Sequence, residues 1–146
     1  MIKIIAKELE KLRKNLKKIK AWEIEIGVLK EKMSAYKDGG FSLAIGSSSV
    51  VTIDDILARD ETRLNTLESN IDYAKYKLKE YRGYLVLLDD YEFELLNRRY
   101  LDITNNRTSY EKIGKDMCCS HTTAKRWHDS ALEKIAEYKF GSVEIA

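Results

Sequence analysis

The chain has 146 residues, no proline, 7 glycines and a charged fraction of 34%. That profile suits one ordinary domain, or a small module with an extended appendage, and it disfavours sheet-rich folds. The net charge of +2 conceals an uneven spread: residues 1–36 carry 10 Lys/Arg against 5 Asp/Glu, residues 54–96 carry 6 against 11, and residues 97–140 carry 9 against 6. The first two segments are electrostatic complements, and the basic last segment points to a polyanionic partner. Two adjacent cysteines make no disulfide framework, and neither a signal-peptide apolar run nor a membrane-length stretch is recognisable. A reducing, cytoplasmic location without a membrane partner is expected.

In chain order, apolar side chains first recur at Ile2, Ile5, Leu9, Leu12, Leu16, Ile19, Trp22, Ile26, Leu29 and Met33. The alternating steps of 3 and 4 are those of a coiled-coil seam, with one shortened step around Ile19. A second seam runs through Leu57, Leu64, Leu67, Ile71, Ala74, Leu78, Tyr81, Leu85 and Leu88. Between them a Gly- and Ser-rich connector, about 37–53, stops the first helix, and Thr52 with Asp55 supplies an N-terminal cap for the second. Arms of similar length, each about 50 Å at 1.5 Å per residue, and of opposite charge predict an antiparallel helical hairpin over residues 1–88. Gly27 and Gly83 interrupt these arms at a cost of about 1 kcal/mol each relative to Ala. The run Lys11 to Lys20 reads first as a solvated helix face opposite the acidic arm, and second as a phosphate-binding surface. Trp22, Tyr73, Tyr76 and Tyr84 lie at or beyond the seam edge, and that aromatic surface favours a homo-oligomer.

Residues 89–140 read as a separate helical module. The segment Asp89 to Leu101 has acids at its start and Arg98 and Arg99 near its end, as the helix dipole prefers. Tyr91, Leu95, Leu96 and Tyr100 are its expected buried face. Thr108 and Glu111 have capping-box spacing for a short helix carrying Ile113 and Met117. Ser120 then caps a longer helix to about Tyr138, with Ala124, Trp127, Ala131, Leu132 and Ile135 on one stripe. Its other face presents His121, Thr122, Lys125, Arg126 and Asp129.

Gly114, Cys118, Cys119, Ala124 and Trp127 stand at the spacings of a helix-turn-helix. Residues 89–138 resemble region 4 of sigma-70-type factors. With the coiled-coil half, the chain resembles phage-encoded ArpU/RinA-like transcriptional regulators of Gram-positive bacteria. Cys118 departs from that pattern, since glycine or asparagine is usual there. If the site requires a positive φ, cysteine strains it by about 1–2 kcal/mol. The resemblance implies an all-α fold, a hairpin followed by the DNA-binding module, in which the second helix enters the major groove of double-stranded DNA. Ser120, His121, Thr122, Thr123, Lys125 and Arg126 would then meet bases and phosphates. Arg99, Arg107 and Lys112 would add phosphate contacts that set register. It also allows contact with RNA polymerase.

Cys118, Cys119, His121 and His128 have zinc-binding chemistry but poor spacing, because adjacent thiolates diverge and the histidines are two turns apart. Neither a metal nor any other cofactor is expected, and nothing nearby marks a redox thiol. No nucleophile–base pair or phosphate-cradling loop argues for an enzyme. The expected function is a sequence-specific DNA-binding transcriptional regulator, phage or prophage encoded, dimerising through its coiled coil. The alternative is a DNA-packaging protein resembling a small terminase subunit, and a third reading is a hairpin that grips RNA through Lys11 to Lys20.

Overall fold

The computed structural model describes residues 1–38 and 52–141. The fold is all-α, with two long antiparallel helices followed by shorter helices packed together. Helix α1 (Ile2–Lys37) and helix α2 (Ile53–Leu85) follow the two expected arms. No seam residue of either helix is exposed. Ile5, Leu9, Leu12, Leu16 and Leu29 are buried on α1, as are Leu67, Ile71, Ala74, Tyr81 and Leu85 on α2. Thr52 and Asp55 form a reciprocal cap: the Asp55 amide donates to Thr52 Oγ1 at 3.1 Å, and the Thr52 amide to Asp55 Oδ2 at 3.3 Å. Most of the expected connector, residues 39–51, lies outside the described residues.

The chain forms two compact units, Met1–Lys17 with Ala74–Ala146, and Lys18–Tyr73. Within the continuous α1 the boundary between the units falls where Leu16, Ile19 and Trp22 make two successive steps of three. Such steps fall short of two full turns and rotate the apolar stripe off the seam. Ile19, Trp22 and Ile26 are accordingly only half-buried. Within Lys18–Tyr73, Arg63 grips both carboxylate oxygens of Glu25 at 2.7 and 3.2 Å, and Lys32 meets Asp60 at 3.1 Å. The basic first arm thus meets the acidic second arm through a few specific pairs. The exposed Arg63–Glu25 pair fixes register more than it adds stability, whereas the Lys32 pair reaches a buried Asp60.

In the other unit, α3 (Asp90–Leu96) runs into a wider π turn, Asn97–Leu101, closed by the Asp102 amide on the Asn97 carbonyl at 2.7 Å. Then come α4 (Tyr110–Asp116) and α5 (His121–Ala136), the latter ending in a second π turn, Glu137–Gly141. Helix α5 packs on α3 and α4. Leu95, Leu96, Tyr100, Ile113, Ala124, Ala131, Leu132 and Ile135 form its core. The boundary expected near residue 88 separates two sequence patterns, whereas packing groups the start of α1 and the end of α2 with the C-terminal helices. Arg13 donates to the carbonyls of Asp102 at 3.0 Å and Asn105 at 2.6 Å. Glu8 accepts from the Tyr81 hydroxyl and, at 2.9 Å, from Lys139.

Tyr91 departs from expectation: it is 41% exposed, while Glu92 beside it is fully buried. The core face of α3 runs through Glu92, Leu95 and Leu96 at helical spacing, so Tyr91 falls on the rim. The Glu92 carboxylate is tolerable inside because its Oε1 accepts the Asp89 amide at 3.0 Å and Lys134 at 2.7 Å. Among the described residues no helix is long and apolar enough to cross a membrane.

Gly27 has nothing within 4 Å of where a Cβ would stand. Gly27→Ala is therefore expected to stabilise the protein by about 1 kcal/mol, read as a higher urea midpoint at unchanged slope; a lower midpoint would contradict a regular helix there.

Candidate nucleic-acid interface

Helix α4 begins one residue later than the sequence suggests. Ser109, not Thr108, is the cap: its Oγ accepts the Lys112 amide at 3.2 Å. The Thr108 carbonyl is instead held by Arg99 Nη1 at 2.5 Å, which leaves Ser109 to turn the chain into the helix.

The α4–α5 turn is set by two backbone requirements. A Cβ on Gly114 would stand 2.7 Å from the Cys119 carbonyl oxygen, so only glycine allows the turn to close over α4. Cys118 takes φ 60°, the left-handed conformation anticipated for this site. The Cys119 amide reaches back to the Gly114 carbonyl at 2.8 Å and the Cys118 amide to Lys115 at 3.4 Å. This is a Schellman-type ending with cysteine where glycine is favoured.

Ser120 then starts α5, its Oγ accepting the Thr123 amide at 3.1 Å and donating to Thr123 Oγ1 at 2.9 Å. The helix divides cleanly. Ala124, His128, Ala131, Leu132 and Ile135 are buried, while His121, Thr122, Lys125 and Arg126 are exposed and Thr123 is half-buried. A shallow depression of about 370 Å³ along this face is lined by Thr122, Lys125, Arg126, Asp129, Ser130 and Glu133. Its cations lie toward the helix N-terminus, where the dipole is also positive, and its acids toward the C-terminal half.

The three flanking cations are placed differently from one another. Lys112 is exposed on α4. Arg107 donates to Asp116 at 2.8 Å, which neutralises much of its charge. Arg99 is half-buried, bound to the Thr108 carbonyl and, at 3.2 Å, to the Tyr100 hydroxyl, with its guanidinium 4.2 Å from the Tyr110 ring centroid. Its first role is to position these groups.

His128 belongs to that network, a role that the sequence pattern alone does not assign to it. Its Nε2 lies 2.6 Å from the Tyr100 hydroxyl; its Nδ1 is 2.9 Å from Asp129 Oδ1 and 3.1 Å from the Tyr110 hydroxyl. A neutral ring fits, accepting from Tyr100 and donating to Asp129. The signal was present, since 124, 128, 131 and 135 continue the apolar stripe. His121, by contrast, is exposed. Among the described residues no group of three or more His, Cys, Asp or Glu is placed to hold a metal ion. Burial, with Cys118 alongside, pushes the Cys119 thiol up, away from a reactive thiolate.

Trp127 is only half-buried, its ring 4.8 Å from that of Tyr91. The two aromatics cover the core edge together, so truncating Trp127 costs less than the roughly 3–5 kcal/mol of a fully buried tryptophan.

Comparison with protein families, with characterised proteins and with solved structures finds no match.

Cys118→Gly is expected to stabilise the protein by about 1 kcal/mol and Gly114→Ala to destabilise it by about 1–3 kcal/mol, both measured by urea unfolding; the reverse order would reject this turn. Burial, aided by Arg99 and Lys125 and opposed by Asp129, holds His128 below its ordinary value of 6.5. The unfolded chain therefore binds this proton first, so the contribution is present above about pH 6.5 and is lost as pH falls below it. A His128→Gln variant is expected to flatten the loss of stability between about pH 7 and 5; an unchanged profile would show that His128 titrates alike in both states.

Proposed function

We propose that this chain is a sequence-specific, double-stranded-DNA-binding transcriptional regulator of phage or prophage type, with α5 as the helix that enters the major groove. The observation that carries the reading is the two-sided character of α5. One face is packed against α3 and α4, while His121, Thr122, Lys125 and Arg126 stand exposed at the positively polarised end. The groove admits one helix, lysine and arginine reach guanine edges or phosphates, and threonine reaches either. Ser120 serves mainly as the cap that presents this end, and Lys112 and Arg107 flank it. No cofactor and no catalysis enter this reading.

A single module of this kind reads a short site weakly, so we also propose a dimer formed through the long helices. Ile24 and Val28, one helical turn apart on α1, are 59% and 57% exposed and supply apolar surface for such pairing. Two recognition helices would then meet half-sites about one DNA turn apart. RNA polymerase is a candidate second partner by resemblance to sigma region 4. A ring-sized mass in place of a dimer would favour the DNA-packaging alternative.

Selection from a random duplex pool with the full-length protein is expected to enrich a defined motif. Lys125→Ala or Arg126→Ala is expected to weaken binding to that motif by about 1–3 kcal/mol without lowering thermal stability. Recovery of no motif, or binding of the motif by both variants as tightly as by wild type, would reject the proposal.

A further inference from the structure

The same compact unit holds a second cationic feature. An open cleft of about 300 Å³ is lined by Arg13, Lys14 and Lys17 of α1 and by Arg99, with Glu10 as the one carboxylate among its lining residues. Spacings of one, three and four put the α1 cations on neighbouring parts of one helical face. Arg13 commits its guanidinium to the carbonyls of Asp102 and Asn105, and Arg99 to the carbonyl of Thr108 and the hydroxyl of Tyr100. Such acceptors fix both side chains but leave their charge uncancelled. Among the described residues none of Arg13, Lys14, Lys17 and Arg99 has a carboxylate oxygen within ion-pair distance. In the same unit Arg98, Arg107, Lys134 and Lys139 are all paired with acids. Arg13 and Arg99 also stand close enough to repel one another. Asp102 attracts Arg13 from nearby, but among the described residues no carboxylate stands within ion-pair distance of either guanidinium. Two half-buried like charges so placed suit an incoming phosphate, which guanidinium and ammonium groups bind through strong charge-assisted hydrogen bonds.

This cleft connects to α5. The Tyr110 ring lies 4.2 Å from Arg99 and 5.9 Å from Lys125 Nζ, measured to its centroid. The cations therefore form a track from Lys125 past Tyr110 to Arg99 and on to α1. An enclosed pocket would suit a small free anion, whereas an open track with exposed lysines at its end suits a polymer backbone. We infer that the cleft binds backbone phosphates of the same duplex that α5 reads, so that Lys14 and Lys17 of α1 grip DNA flanking the recognised site. The inference rests on the groove-reading role proposed for α5.

Lys14 and Lys17 are exposed, and among the described residues neither makes a hydrogen bond or an ion pair, so they are the residues to change. Binding of the full-length protein to a labelled random-sequence duplex is measured over a salt series for wild type, Lys14→Ala/Lys17→Ala and Lys125→Ala/Arg126→Ala. The α1 variant, with wild-type helicity by circular dichroism, is expected to lose about two units from the slope of log affinity against log salt. It is also expected to lose affinity equally on random and selected duplexes, because phosphate contacts carry no sequence. Lys14→Glu/Lys17→Glu is expected to lose more. An unchanged slope in both α1 variants, with a reduced slope in Lys125→Ala/Arg126→Ala, overturns the cleft and leaves the α5 reading standing. A wild-type protein with no duplex affinity at low salt overturns both. Binding of inorganic pyrophosphate that depends on Lys14 and Lys17, with the duplex slope unaltered, overturns the track in favour of a small-anion site.

Discussion

The close approach of the α4–α5 turn to Gly114 sets the direction in which α5 leaves α4, and with it which side chains face solvent. A methyl group at that position would meet the Cys119 carbonyl at 2.7 Å. Backbone cannot move aside as a flexible side chain can, so the constraint is steric and local. Cys118 satisfies the accompanying left-handed conformation at an energetic cost that glycine would avoid. Once those two residues are in place, Ser120 needs only its own hydroxyl to begin the helix. The apolar stripe from Ala124 to Ile135 then turns inward and leaves Lys125 and Arg126 outside.

Polar groups inside the unit reinforce that orientation. Glu92 is fully buried and uses one oxygen to join the start of α3 to Lys134 of α5, while among the described residues nothing donates a hydrogen bond to Glu92 Oε2. His128 joins α5 to Tyr100 of the first π turn and to Tyr110 of α4. A buried polar link of this kind adds little net stability, but an alternative packing of α5 would strand its members without partners. Helix rotation that exposed Trp127 or hid Arg126 would break both links at once.

The long seams and the α5 stripe were legible because periodic burial leaves a periodic trace. Thr52, Asp55, Gly114, Cys118 and Ser120 were legible because each answers a local backbone need. What escaped depended on contacts far apart in sequence. Glu92 reads as one of several acids at a helix start, and its burial is tolerable because Lys134, 42 residues on, joins the Asp89 amide on its carboxylate. Arg99 reads as a free cation near a helix end, yet the Thr108 carbonyl and two tyrosine rings hold it in place. The shift of the cap from Thr108 to Ser109 follows from that same arginine. The π turn after Leu96 leaves no signature that distinguishes it from ordinary helix. Arg13 lies in a run that reads most simply as solvated, and its tie to Asp102 and Asn105 is 89 and 92 residues distant.

Glu8 and Lys139 are separated by 131 residues and meet within hydrogen-bonding distance. During synthesis the inner face of the amino-terminal helix can be covered by α2, but the Glu8 contact is complete only after residue 139 has left the ribosome. The entropy of closing so long a loop is reduced because Glu8 can already be held by Tyr81 of α2. A helical turn made late in the sequence thus completes the surroundings of one made early.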